Sequence, residues 1–380
     1  MSGQGESRER VLGIDVLRAV AVLLVLLHHW QGSGAVAPFH ASAWTAPFDV
    51  GAALLAPGGI YGVTLFFVIS GFVITRSVMA RPGGLFEIVP SDFYVRRVAR
   101  IQPLFAAVVL LGAACLVLAP RSAMFNLVFH GSNRFTPEFW VSLATFWFNI
   151  EQLLQGGDHL YWGLHWDVLW SLAVEEQFYL GLPLLILMTR STRRLTIALL
   201  GFVGLGIAVQ NAISANFSQP MLAIYNSLCC FDLLALGVLC AMYGKKFQPS
   251  RHAMIGIVII ATAWITAAVV IGIRPPLVPS VAFAAALFVL CAQTGAIFRS
   301  RIWVPIAWIG RLSYGLYLLN PVVLYTLAPL LGGAPFAIGY GVFAGVCIAF
   351  ALLSYRCFEQ PIAGWIGRQF IARPAALPAT

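Results

Sequence analysis

Charge is what this chain has least of. Among its 380 residues are 23 Lys and Arg and 14 Asp and Glu, so 10% of the residues carry charge, where a soluble globular domain carries about a quarter. With 60% hydrophobic residues and a mean hydropathy of +0.87, a water-soluble core cannot accommodate the composition. The seven cysteines show no CxxC or other metal-ligand spacing and fall mostly within apolar runs, so buried thiols are expected, with no metal site. The formal charge of +9 would suit nucleic acid if it were gathered in one patch. Instead it is scattered through short loops between apolar runs, which excludes nucleic acid as a partner. No low-complexity tract, internal repeat or extra soluble domain is legible.

What fills the chain is a succession of apolar runs, each about the 20 residues that a helix needs to cross a bilayer. They lie near 12–30, 60–79, 101–119, 168–188, 195–213, 222–243, 253–273, 277–297, 303–328 and 336–356. The fold class expected is therefore all-α, a polytopic membrane helix bundle of about ten transmembrane helices in a cell (inner or plasma) membrane. The first run follows Arg8 and Arg10 and resembles a secretory leader, but Asp15 and Arg18 inside it mark a retained helix.

A further apolar stretch, Phe139 to Ile150, is short and interrupted by polar groups. If it does not cross, 18 of the 23 Lys and Arg fall on the side of the N-terminus and only Arg121, Arg134 and Arg274 on the other. Arg18 and Arg311 stay within the membrane. This asymmetry places both termini in the cytoplasm and makes residues 137–153 interfacial or re-entrant. One membrane domain is expected over 1–360, followed by a short cytoplasmic tail, 361–380.

Four polar groupings stand out against this background. In GIDVLRAVAVLLVLLHHW, Asp15, Arg18 and His29 share one helix face, because eleven residues bring the helix round by about three turns and 20°. Ionisable groups at that depth cost about 2.5–3.5 kcal/mol each on insertion scales, so they face protein or a watery cavity. His28 lies off that face. In FYVRRVARIQP, Arg97 and Arg100 are i,i+3 neighbours able to present two guanidinium forks to a phosphate, although flanking arginines at a helix end are also ordinary.

In HWDVLWSLAVEEQFYL, Ser171 and Glu175 can share a face while Glu176 points about 100° away, so one of the two acids faces the bundle interior. In GRLSYGLYLLNP, Ser313, Tyr314, Tyr317 and Asn320 interrupt an apolar helix, a pattern that belt anchoring alone would produce. Gly62, Ser70 and Gly71 suit close helix packing.

These segments, with YGVTLFFVISGFVIT and the closing YRCFEQP, resemble the successive signatures of the acyltransferase 3 family of integral-membrane acyltransferases, in family order from about residue 12 to 361. The resemblance implies transfer of an acyl group, commonly acetyl, from acyl-CoA as co-substrate to a hydroxyl of a glycan or small-molecule acceptor, with no permanently bound cofactor. It implies His29 as the essential histidine of an arginine-x10-histidine pattern begun by Arg18, and Arg97 and Arg100 as the pair engaging the CoA phosphates. Glu176, with Trp170 and Ser171, matches the WSLxVEEQFY segment. Tyr317 and Asn320 match the segment that many members end in histidine. Asparagine cannot titrate, so at Asn320 orientation of substrate is expected instead of proton transfer.

The expected chemistry is attack of the acceptor hydroxyl on the thioester, with His29 taking the proton, Glu176 or Asp15 stabilising the imidazolium, and Arg18 offsetting charge or holding Asp15. No serine or cysteine stands out as a nucleophile, so direct transfer is expected, with an acyl-histidine intermediate as the alternative. A proton-coupled transporter or a scaffold subunit would also bury such groups. The acceptor and the oligomeric state are not legible.

Overall fold

A computed structural model of the chain describes residues 3–33, 59–118, 137–154, 168–217, 221–247, 250–271, 279–293, 298 and 300–370. Among these residues all regular structure is helical, as the bilayer demands, since a helix satisfies its own backbone hydrogen bonds where no water can. In chain order the helices are α1 (Gly3–Gly32), α2 (Gly59–Met79), α3 (Pro90–Leu118), α4 (Pro137–Ala144), α5 (Phe148–Leu154), α6 (Leu169–Thr189), α7 (Thr192–Asn216) and α8 (Met221–Ile224). They continue with α9 (Leu228–Tyr243), α10 (Arg251–Ile271), α11 (Pro279–Gln293), α12 (Trp303–Arg311), α13 (Ser313–Leu327), α14 (Phe336–Ser354) and α15 (Gln360–Phe370).

Among the described residues, seven segments are long and apolar enough to cross a membrane: Leu12–Gly32, Gly59–Met79, Pro90–Ala114, Leu169–Thr189, Thr192–Asn216, Leu228–Lys246 and Phe336–Phe370. Each corresponds to an expected span. The spans expected near 253–273 and 277–297 correspond to α10 and α11, which hold shorter apolar stretches at His252–Ala263 and Phe283–Ala292. The one expected at 303–328 is two helices. Leu312, with ψ near −1°, donates to both Trp308 O and Ile309 O, a tightened turn that separates α12 from α13.

The segment 137–154 forms α4 and α5, of 8 and 7 residues. At 1.5 Å per residue neither approaches the roughly 30 Å hydrocarbon thickness. The turn between them holds Phe146 at a φ of 59°, a left-handed conformation unusual for an aromatic residue. Gln177 on α6 secures it by donating to Phe146 O at 2.6 Å and to Asn149 Oδ1 at 2.8 Å. Asn149 in turn donates to Tyr225 O and to Ser227 Oγ, both at 2.8 Å.

Close helix approach sets the centre of the bundle. At the α2–α9 crossing, a Cβ on Gly71 would meet Leu234 O at 2.1 Å and one on Gly237 would meet Val68 O at 2.1 Å, so only glycines allow this contact. At the α1–α12 crossing a Cβ on Gly310 would lie 1.7 Å from Asp15 O. Gly59 lies against His28 and Gly62 against Ala21, so α2 runs antiparallel to α1. Helices α2 and α9 are the most enclosed of the spans. α7 and α14 turn Ile197, Leu200, Phe350 and Leu353 outward, toward what the composition identifies as lipid.

Past a π-helical turn at Tyr355–Glu359, residues 360–370 continue as α15 and pack on α3. The tail expected from residue 361 is thus helical to Phe370, and its last ten residues lie outside the described ones. Five cysteines, Cys229, Cys230, Cys240, Cys291 and Cys347, are buried free thiols as expected, whereas Cys357 in the π turn is exposed.

Candidate active site

Polar residues from α1, α2, α3, α6 and α13 line two neighbouring cavities. The first, of about 100 Å³, is lined by Arg18 of α1, Arg97 and Arg100 of α3, Ser171, Glu175 and Tyr179 of α6, Ser70 of α2, and Ser313, Tyr314 and Tyr317 of α13, among apolar neighbours. Three guanidiniums face one carboxylate there, a surplus suited to an anion. The second, of about 90 Å³, is lined by His28, His29, Trp170, Tyr225 and Tyr317 with Val25, Gly59, Ile60, Val63, Val168 and Ile224. Val63 and Tyr317 belong to both.

Helix geometry explains the separation. Arg18 and His29 share a face of α1 but stand about 16 Å apart along it, and Asp15 about 21 Å from His29. The stripe seen in the sequence is therefore a line through the bundle and not a single cluster. An imidazolium at His29 cannot be stabilised by Asp15, which corrects that expectation. Asp15 instead pairs with Arg311 (Nε to Oδ2, 3.2 Å) and Arg18 (3.8 Å), which leaves the alternative expectation, Arg18 holding Asp15, as the observed contact.

The group that does meet His29 is Asn320. His29 Nδ1 lies 2.6 Å from Asn320 Oδ1, and the amide's orientation is set by its other end, where Nδ2 donates to Leu316 O at 3.1 Å and Tyr317 O at 2.6 Å. Tyr317 O accepts there because Pro321, four residues on, has no N–H to offer it. Since Oδ1 only accepts, Nδ1 of the imidazole donates and Nε2 is the acceptor nitrogen of the neutral ring. Asn320 is 0% exposed and lines neither cavity. The contact the structure shows for its Oδ1 is with the histidine ring.

The two acids of α6 divide as their spacing required. Ser171 and Glu175, one turn apart, line the arginine cavity, whereas Glu176 is buried beside it, 8% exposed, in electrostatic range of Arg97 and Glu175. Glu176 therefore sits with the arginine group and away from the imidazole. Tyr179 donates to Glu175 Oε2 at 3.1 Å and hydrogen-bonds Ser70, and Arg97 stacks over its ring at 5.6 Å. Trp170 lines the histidine cavity and packs edge-on against Tyr225 and Phe67.

Glu175, Tyr179 and Ser70 were not singled out as site residues in the sequence. The signal for Glu175 was its i+4 relation to Ser171, while Ser70 reads as a packing residue and nothing in the sequence pattern marks Tyr179. No group of three or more His, Cys, Asp or Glu positioned for a metal occurs among the described residues.

An eleven-residue step on α1 carries Arg18 to one cavity and His29 to its neighbour, within a bundle of helices long and apolar enough to cross a membrane. A family model described as an acyltransferase domain matches residues 11–356, and the chain belongs to this family, acyltransferase 3. It is 26% identical over 379 residues to the peptidoglycan O-acetyltransferase OatA of Listeria monocytogenes, covering 94% of this chain and 56% of that protein. It is 25% identical over 379 residues to the O-acetyltransferase OatA of Staphylococcus aureus (strain NCTC 8325 / PS 47), covering 92% of this chain and 57% of that protein. The chain thus spans about half the length of the curated relatives it matches. No solved structure matches it significantly.

Proposed function

We propose that this chain is a membrane O-acetyltransferase that moves an acetyl group from cytoplasmic acyl-CoA to a hydroxyl of an extracytoplasmic glycan, with peptidoglycan the first acceptor to test. The names of the relatives support the reaction and the glycan. The observation that carries the mechanism is the Asn320 contact, which leaves Nε2 of His29 as the ring's basic nitrogen.

In this reading the arginine cavity opens to the cytoplasm, the side that the distribution of Lys and Arg favours for both termini. Arg97 and Arg100, with Arg18 held by Asp15, bind the phosphates of CoA. Glu175 and Glu176 balance the guanidiniums and keep them apart when the donor is absent. The acceptor hydroxyl enters the histidine cavity beside Trp170.

Neutral His29 takes the hydroxyl proton on Nε2 while the oxygen attacks the thioester carbonyl. The C–S bond then breaks, and the imidazolium returns its proton to the departing thiolate. Asn320 Oδ1 accepts from Nδ1–H before and after protonation, so it holds the ring without supplying charge. Among the described residues the histidine cavity is lined by no serine or cysteine, which favours direct transfer.

The test is the purified full-length protein in lipid with acetyl-labelled CoA and a soluble peptidoglycan fragment. CoA release with an equal amount of alkali-labile acetyl ester on the glycan is expected, identified by mass spectrometry. Substrate uptake into vesicles without CoA release would favour a proton-coupled transporter.

A further inference from the structure

Two side chains, Val63 of α2 and Tyr317 of α13, line both cavities and so lie where the two adjoin. The tyrosine is held in place from two directions. Its hydroxyl lies 2.7 Å from Ser171 Oγ, and both hydroxyls reach the carbonyl of Val168, at 3.1 Å each. Its ring packs edge-on against Phe66 at 6.1 Å. The helix position is fixed as well, because Tyr317 O accepts from the same Asn320 amide that orients His29.

This boundary matters because of length. Arg18 lines one cavity and His29 the other, about 16 Å apart along α1. A donor held by its phosphates at the arginines therefore reaches the imidazole only through an uncharged linear arm, threaded past Val63 and Tyr317, which line both cavities. The surroundings of that crossing, Val63, Phe66 and Leu318, are apolar and suit alkyl and amide groups without charge.

We propose that Val63 and Tyr317 form a closing septum across a single path through the bundle. Tyr317 swings aside to admit the uncharged arm of a long thioester and shuts the path when no donor is bound. The slot so opened is a binding site for that arm. Donors too short to bridge it, such as acetyl phosphate, bind at the arginines without reaching His29. With the septum shut, water and ions on the histidine side are kept from the arginine cavity, which an ungated path through a membrane would not achieve. The proposal rests on the acyltransferase reading for the identity of the arm, but the septum itself is testable without catalysis.

The experiment is labelling of Val73→Cys, a position lining the arginine cavity, by a membrane-impermeant methanethiosulfonate added to sealed vesicles from the histidine side. The chain with its native cysteines alone gives the background. With Tyr317 intact, Val73→Cys is expected to stay at background from that side. Adding Tyr317→Ala is expected to raise its labelling about tenfold or more, as a barrier that excludes the reagent in most of the population is removed.

Tyr317→Phe keeps the ring and its packing but loses the bonds to Ser171 and Val168. It tests the same point in a less disruptive variant and is expected to give labelling between the two. Equal labelling with and without Tyr317 would overturn the septum. So would protection that survives both substitutions. Because the readout needs no acetyl transfer, a chain with another activity would still pass or fail it. In that case acetyl-CoA would not protect Val73→Cys from reagent on the arginine side, whereas a true donor path predicts protection by acetyl-CoA and none by acetyl phosphate.

Discussion

Replacing His29 with glutamine lowers the rate of acetyl transfer about 10²–10⁴-fold, the usual contribution of a positioned general base, while the KM for acetyl-CoA changes little. Glutamine retains size and hydrogen-bonding capacity, and so keeps a partner for Asn320 Oδ1, but it cannot take the acceptor's proton. The companion variant Asn320→Leu leaves the imidazole in place and removes the contact that fixes its tautomer. Loss of the hydrogen-bond partner that orients a metal-bound histidine costs roughly 10–100-fold, and on that scale Asn320→Leu should be impaired less than His29→Gln. If the two substitutions act on one unit, the double variant is no worse than His29→Gln alone. The measurement is initial rate of ester formation by purified protein, with circular dichroism and thermal unfolding to show that each variant is folded. Wild-type turnover in His29→Gln would remove the mechanism.

The second large effect falls on donor binding. Arg97 and Arg100 lie one helical turn apart in a cavity they share with Arg18. Charge-assisted hydrogen bonds contribute about 1.5–3 kcal/mol each, so Arg97→Gln with Arg100→Gln should raise the KM for acetyl-CoA by roughly 10²–10⁴-fold. Arg100 is exposed to solvent, where screening weakens its share, which puts the expected value near the lower end. Arg97, stacked on Tyr179 and less exposed, accounts for most of it. Because these contacts hold the donor away from the reacting carbon, kcat at saturating acetyl-CoA should be nearly unchanged. A fall in kcat with KM intact would place the arginines at the chemical step and contradict the division into two cavities.

How much of this was legible in the sequence follows from the range of each signal. Apolar runs and helical periodicity are local, and they located a helix at every expected span and the shared face of Asp15, Arg18 and His29. The same periodicity put Ser171 and Glu175 on one face, where the structure has them. What periodicity omits is height along the axis. Groups on one face of α1 read as one site, although the rise of the helix sets Asp15 and His29 in different parts of the bundle.

Contacts between distant helices were beyond reach for a different reason. The meeting of His29 with Asn320 spans 291 residues and depends on a carbonyl released by Pro321. The dipeptide Asn320–Pro321 was visible, but its consequence needs to know which helix packs against α13. The break at Leu312 was invisible because both flanking segments are apolar, and hydropathy does not register a tightened turn.

The claim on which the account depends is that donor and acceptor approach one imidazole from opposite faces of the membrane. It is tested most directly in sealed vesicles of both orientations with glycan on one face and labelled acetyl-CoA on the other. Ester should form only when acetyl-CoA is on the face of Arg97 and Arg100 and the glycan is on the face of His29, and it should vanish in His29→Gln. Equal product with both substrates supplied to a single face, in sealed vesicles of either orientation, would contradict it.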